Sequence, residues 1–107
     1  MVRPRFSPKP RFDLGIYGVT ATPGALELLD RVGVDPARLI RRHHHGDWGV
    51  IDAHDREMNE RSLREGGRLM SAYDVGDSAE QVWIITEGVI AEGGPRHSTT
   101  ILLPSEY

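Results

Sequence analysis

Gln81-Val82-Trp83-Ile84-Ile85-Thr86-Glu87 is the stretch that decides the architecture. Branched and aromatic residues crowd it, and such residues fit the pleated, half-buried surface of a sheet. Its apolar run, Val82 to Ile85, is far below bilayer-spanning length. Working outward, Ser98–Leu103 is a second strand, closed by Pro104. Arg68–Asp74 is a third, joined to the first by the turn Gly76-Asp77-Ser78. The stretch Gly88–Arg96, with Gly93-Gly94-Pro95, is a loop. These segments form an antiparallel meander.

Helices precede it. Thr22-Pro23 supplies an N-cap and a first-turn proline, and Gly33 a stop. Asp35-Pro36 repeats the start for a short helix carrying Leu39 and Ile40, with Arg38, Arg41 and Arg42 outward and His43-His44-His45-Gly46 at its end. Asp52 caps a third helix over Ala53–Arg64, which Gly66-Gly67 ends. That helix is strongly polar, with Glu57/Arg61 and Glu60/Arg64 four residues apart and only Met58 and Leu63 to pack. Phe12–Val19, broken by Gly15 and Gly18, reads as an edge strand. The class expected is α+β: two or three N-terminal helices packed on a three- or four-stranded antiparallel C-terminal sheet. Leu26, Leu29, Leu39, Ile40, Leu69, Val82, Ile84, Ile101 and Leu103 form the expected core, with Trp83 on the other face. Helices first and meander second argue against a βαβ nucleotide-binding sheet.

The chain has 107 residues, a length that suits one domain. It lacks cysteine, which removes disulfides, thiolate metal sites and cysteine nucleophiles. No N-terminal apolar stretch resembles a secretory signal. A cytoplasmic location and no membrane association are expected. Net charge is −3, but unevenly spread. Residues 1–12 hold Arg3, Arg5, Lys9 and Arg11 and no acid, whereas the body from Asp13 onward is acidic. Residues 1–11, with three prolines, read as a flexible basic tail, and 12–107 as a single domain. An acidic body does not favour nucleic acid as a partner.

Several motifs carry a resemblance: Thr22-Pro23-Gly24-Ala25-Leu26, Gly46-Asp47-Trp48-Gly49, Asp55 with Asn59, Glu65-Gly66 followed by Arg68-Leu69 and Ser71-Ala72-Tyr73, Trp83-Ile84-Ile85-Thr86-Glu87, and Thr99-Thr100 through Tyr107. With these, residues 12 to 107 resemble a family of small bacterial proteins, often found on plasmids or mobile elements and without an assigned chemistry. Some of its members carry the label of a type I restriction endonuclease M subunit. A methyltransferase subunit needs a cofactor-binding sheet and a catalytic motif, and this sequence displays neither. The chain departs from the family pattern between its Thr-Glu and Thr-Thr elements. The longer Gly88–His97 stands there, and only Arg96 and Ser98-Thr99-Thr100 match.

Two constellations deserve weighing. Arg38, Arg41, Arg42 and His45 make a basic helix end, and Asp47-Trp48 a turn bearing an aromatic of the kind enriched at interfaces. They point to a non-enzymatic protein-interaction module of a bacterial accessory element, with a protein partner of unknown identity. A homodimer is a further option, since an uncovered sheet face or edge needs protection. The alternative is a metal-independent RNase or toxin. Glu87 would be the base and His97 the acid, with Arg68 or Arg96 stabilising the phosphorane. Three consecutive histidines point in three directions along a helix and do not chelate one ion, so no metal is expected, and no cofactor.

Overall fold

The computed structural model describes residues 7–77 and 79–107. The tail residues 1–6 and Ser78 of the expected turn lie outside the described residues. The elements run β1 (Val19–Ala21), α1 (Pro23–Val32), α2 (Pro36–His44), α3 (Ala53–Glu65), β2 (Leu69–Asp74), β3 (Gln81–Thr86) and β4 (Thr99–Leu102), followed by a 3₁₀ turn at Pro104–Glu106. Thr22 accepts from the Ala25 amide, Asp35 from Ala37 and Asp52 from Asp55, so all three helices start on a side-chain cap.

The sheet corrects the expected class. Its order is β1-β4-β3-β2, and it is mixed. The meander β2-β3-β4 is antiparallel, but β1 lies parallel to β4, with Val19 opposite Thr99 and Ala21 opposite Ile101. Three helices separate β1 from β2 in the chain, which gives the connection the length a parallel pairing requires. The strand expected over Phe12–Val19 starts only at Val19. Gly15 and Gly18 both take left-handed backbone there, which a strand cannot.

The core lies between α1, α2 and one sheet face. Ala25, Leu28 and Leu29 of α1 and Leu39 of α2 meet Tyr73, Val82, Ile84 and Ile101. Leu26, expected inside, is exposed: residues 25, 28, 29 and 32 define the buried stripe, and 26 falls off it. A second cluster joins Trp48, Ile51, Leu69 and Ala72, with Trp83 and Leu63 against it. Met58 stays exposed, and Asn59 is the buried residue of α3.

Asn59 explains how β2 avoids being an open edge. Its side-chain amide donates to the Met70 carbonyl (2.7 Å) and its Oδ1 accepts from the Met70 amide (3.1 Å). Two residues on, the Ala72 amide donates to Trp48 O and the Ala72 carbonyl accepts from the Val50 amide. The β2 edge is therefore covered from outside. Between those bonds Gly49 has φ +77° and lies flat against the Ala72 carbonyl, where a Cβ would collide. Asn59→Ala is expected to cost about 1–2 kcal/mol, because two buried main-chain groups lose their partners. The midpoint of urea unfolding measures it, and an unchanged midpoint would refute the capping role.

Residues 7–12 do not trail away as the tail reading implied. The Ser7 amide donates to His45 O, and the Arg11 amide to His44 O. Phe12 stacks on Trp48, with centroids 5.9 Å apart. This strap lies across the C-terminal end of α2.

Candidate nucleic-acid interface

In α2, Leu39 and His43 are one turn apart and both buried, which fixes the helix rotation. Arg38 and Arg41 then face outward, exposed, and among the described residues neither has an ion-pair partner. Arg42 folds over the Tyr73 ring, 4.5 Å from its centroid, and its Nε donates to Asp47 Oδ2 at 2.6 Å. That hydrogen bond raises the Arg42 pKa. His45 Nδ1 donates to the Ser7 carbonyl (2.9 Å), tying the strap down. Between strap and helix runs a groove of about 690 Å³, walled by Ser7, Pro8, Arg38, Arg41, Arg42, His45 and Asp47. Three guanidiniums face one carboxylate there. The acidic average of the chain thus conceals a locally positive groove.

On the other side of Asp47 lies a smaller pocket of about 410 Å³, which Trp48, Arg11, Arg56 and Glu60 help to line. Arg11 forks onto Glu60, Nη2 to Oε1 at 3.0 Å and Nη1 to Oε2 at 3.1 Å. Its hydrogen bonds hold the Glu60 carboxyl below the usual carboxylate range. The Trp48 indole N–H points at Glu60 Oε2, at a long 3.4 Å. Trp48 is otherwise buried, packed on the core rather than standing free at the surface. Glu60 pairs with Arg11 across 49 positions rather than with Arg64 on its own helix, and local spacing carries no signal of that.

Behind α2 a buried polar chain crosses the sheet. The Thr99 hydroxyl donates to Leu14 O (2.8 Å). Thr86 must therefore donate to Thr99 (2.7 Å) and accept from His43 Nε2 (2.8 Å). His43 Nδ1 is left to accept from Ser71 (2.6 Å). Every bond is satisfied by a neutral imidazole bearing its proton on Nε2. Burial accordingly lowers the His43 pKa from 6.5 to about 3. Sequence reading placed His43 on the surface with its two neighbours. The four-residue step from Leu39 is the signal that would have placed it inside.

The residues of the nuclease alternative do not converge. Arg68 and Glu87 form an exposed pair at 3.0 Å, and Arg68 also donates to the Tyr107 hydroxyl. Arg96 is buried and donates to the carbonyls of Gly67, Ser62 and Glu87, so its guanidinium is not offered to a phosphorane. His97 lies against Tyr17 with the rings tilted at 46° and centroids 4.6 Å apart, and with Nδ1 at the Ser98 hydroxyl. Only Arg68 and Glu87 of the four are brought together. Among the described residues no three His, Asp or Glu side chains converge on a metal-sized site, and no helix is long and apolar enough to cross a membrane.

No family model matches the chain. Among curated proteins it is similar to the tRNA (guanine-N(7)-)-methyltransferase of Xanthomonas campestris pv. campestris strain 8004, 30% identical over 108 aligned positions that cover 69% of this chain and 41% of that protein. The protein of the same name from Xanthomonas axonopodis pv. citri strain 306 is 35% identical over 71 positions, covering 64% of this chain and 27% of its own length. The chain therefore spans less than half the length of the curated relatives it matches. No solved structure matches. These relatives are named as enzymes that act on tRNA, and the likeness overturns the expectation of a non-enzymatic protein-interaction module.

Proposed function

We propose that the chain serves the methylation of guanine N7 in tRNA, and that its own share in that reaction is to dock the tRNA backbone. The observation that carries this reading is the strap–α2 groove, where the exposed, unpaired Arg38 and Arg41 stand beside Arg42 and His45. Exposed guanidiniums on one face of a helix are the usual contacts to phosphate oxygens, and they position the nucleic acid without reading its sequence. The likeness to tRNA methyltransferases supplies the reaction. A share in tRNA methylation is consistent with a cytoplasmic location.

Such a reaction needs a methyl donor, and the described residues do not fit one. Nucleotide-type cofactors in α/β sheets lie beyond the carboxyl ends of parallel strands, on a glycine-rich turn at a helix N-terminus. Here the parallel pair β1/β4 ends at such a helix start, but the chain's own Glu106 carboxylate fills it. Glu106 Oε1 accepts from the Thr22 hydroxyl and the Leu103 amide, both at 2.7 Å, and Oε2 lies 2.9 Å from where a Cβ on Gly24 would stand. No step is therefore drawn through a donor on these residues.

Deleting the chain from its host is expected to lower the 7-methylguanine content of bulk tRNA, read by mass spectrometry of nucleosides, and an unchanged content would overturn the reading. For the groove, binding of tRNA to the purified protein is expected to weaken steeply with salt. Arg38→Ala with Arg41→Ala should reduce the slope of log K against log salt by about 2. An unchanged slope would remove the groove from the interface.

A further inference from the structure

We infer that the pocket beside Trp48 receives an extruded guanine base, whose Watson–Crick edge takes over the Glu60 carboxylate from Arg11. The inference rests on the tRNA reading above and names the nucleotide that this surface would hold.

The argument starts from the Arg11 fork. Two parallel N–H donors of one planar group meet the two oxygens of Glu60, at 3.0 and 3.1 Å. Guanine carries the same pattern on its Watson–Crick edge, where N1–H stands beside a 2-amino N–H. Adenine and cytosine place a ring-nitrogen lone pair beside their amino donor. Uracil flanks its single N–H with carbonyl oxygens. Only guanine matches an ionised carboxylate without setting a lone pair against it. Arg11 is thus a placeholder of the same chemical shape. Its stem lies directly on Gly46, where a Cβ would come within 2.6 Å of Arg11 Cδ. When Arg11 swings away, the flat Gly46 backbone and the Trp48 indole edge are uncovered. The pocket of about 410 Å³ then has room for one bicyclic base.

Two further features fit. Asp47 walls both this pocket and the arginine groove, so a base held here has its backbone phosphates beside Arg38 and Arg41. A base gripped by its Watson–Crick edge also points N7 away from the gripping carboxylate and leaves its lone pair free. Extrusion is how enzymes reach base atoms that are hidden in a stack.

The test uses the full chain. Its two tryptophans are separated by Trp83→Phe, which leaves Trp48 as the sole emitter, and the indole N–H resonance of Trp48 in the unmodified chain gives a second readout. GMP is expected to perturb both signals and to bind at least about tenfold more tightly than AMP. Glu60→Gln should abolish that preference, since an amide offers one acceptor and not two. Arg11→Ala should tighten GMP binding by removing the competitor, a direction that a merely structural role for Arg11 would not produce. Equal response to GMP and AMP, or weaker GMP binding in Arg11→Ala, overturns the inference. tRNA retention measured on the same preparations separates the two levels. If retention depends on Arg38 and Arg41 while GMP preference is absent, the base pocket falls and the groove stands. If both are absent, both fall.

Discussion

Arg96→Met is expected to lower the unfolding free energy by about 3 kcal/mol, because it removes a buried cation that three main-chain carbonyls share as donor. The Arg96 guanidinium donates to the Gly67 carbonyl, to Ser62 O at 3.1 Å and to Glu87 O at 3.4 Å. The Ser62 carbonyl, in the last turn of α3, also accepts from the Gly66 amide at 2.8 Å, so Arg96 is its second donor. Burial lowers the Arg96 pKa, with Asp13 pulling in the other direction. The Arg96 amide meets Asp13 Oδ2 at 2.9 Å, and the face of the Phe12 ring lies 5.7 Å from the guanidinium. One residue, through its side chain and its amide, therefore ties the 88–97 loop, the end of α3 and the segment after the strap. Arg96→Lys should not rescue, because a point charge cannot serve three carbonyls in one plane. Urea unfolding at neutral pH measures the loss. Hydrogen exchange across residues 88–97 should rise with it, and a wild-type midpoint in Arg96→Met would sink the assignment.

The second large effect is acid sensitivity. The folded pKa of His43, about 3, lies below the ordinary 6.5. Its neutral form is the one the fold accepts, so its contribution is complete above about pH 6.5. The contribution is lost progressively as pH falls toward 3, because the unfolded chain then binds a proton that the folded chain refuses. Between pH 6.5 and pH 4 the loss is about 3 kcal/mol. His44, whose pKa is also lowered by burial, adds to it with the same sign. Glu60 and Glu106, held down by their hydrogen bonds, contribute in the same direction only at more acidic pH, where carboxylates begin to protonate. His43→Gln keeps one donor and one acceptor for Ser71 and Thr86 but does not titrate. Chemical denaturation at pH 7, 6 and 5 should show a falling stability in the wild type and a flatter profile in the variant. Equal slopes in the two proteins would show that His43 is not the group responsible.

Much of the scaffold was legible in the sequence because it is locally encoded. Thr22, Asp35 and Asp52 cap the helices they were expected to cap, and Gly33 and Gly66 end theirs in left-handed backbone. The strand read over Gln81–Glu87 is β3 over Gln81–Thr86. What escaped was non-local. β1 is three residues long, too short for any periodicity, and its parallel partner stands 80 positions away. Arg96 sits after Gly94-Pro95, where composition says loop and gives no hint of burial. The fork of Arg11 on Glu60 joins a segment read as tail to a helix face read as solvated. Arg38, Arg41, Arg42 and His45 were legible as a basic helix end because helical spacing alone puts them outside. The positive groove that they form was not, since the net negative charge of the whole chain masks it.

The order β1-β4-β3-β2 also has a consequence for synthesis. A ribosome delivers β1 first and β4 after every other strand, yet β4 must lie between β1 and β3. Until Thr99–Leu102 emerge, β1 has no strand to pair with, and Ile84 of β3 lacks its neighbour Ile101. A chain truncated before residue 99 can complete the β2–β3 hairpin but not the four-stranded sheet. The β1–β4 contacts span a large sequence separation and carry a large loop-closure cost. Truncation just before β4 should thus leave a half-built, protease-sensitive particle, and extension through Leu102 should convert it to the resistant form in a single step.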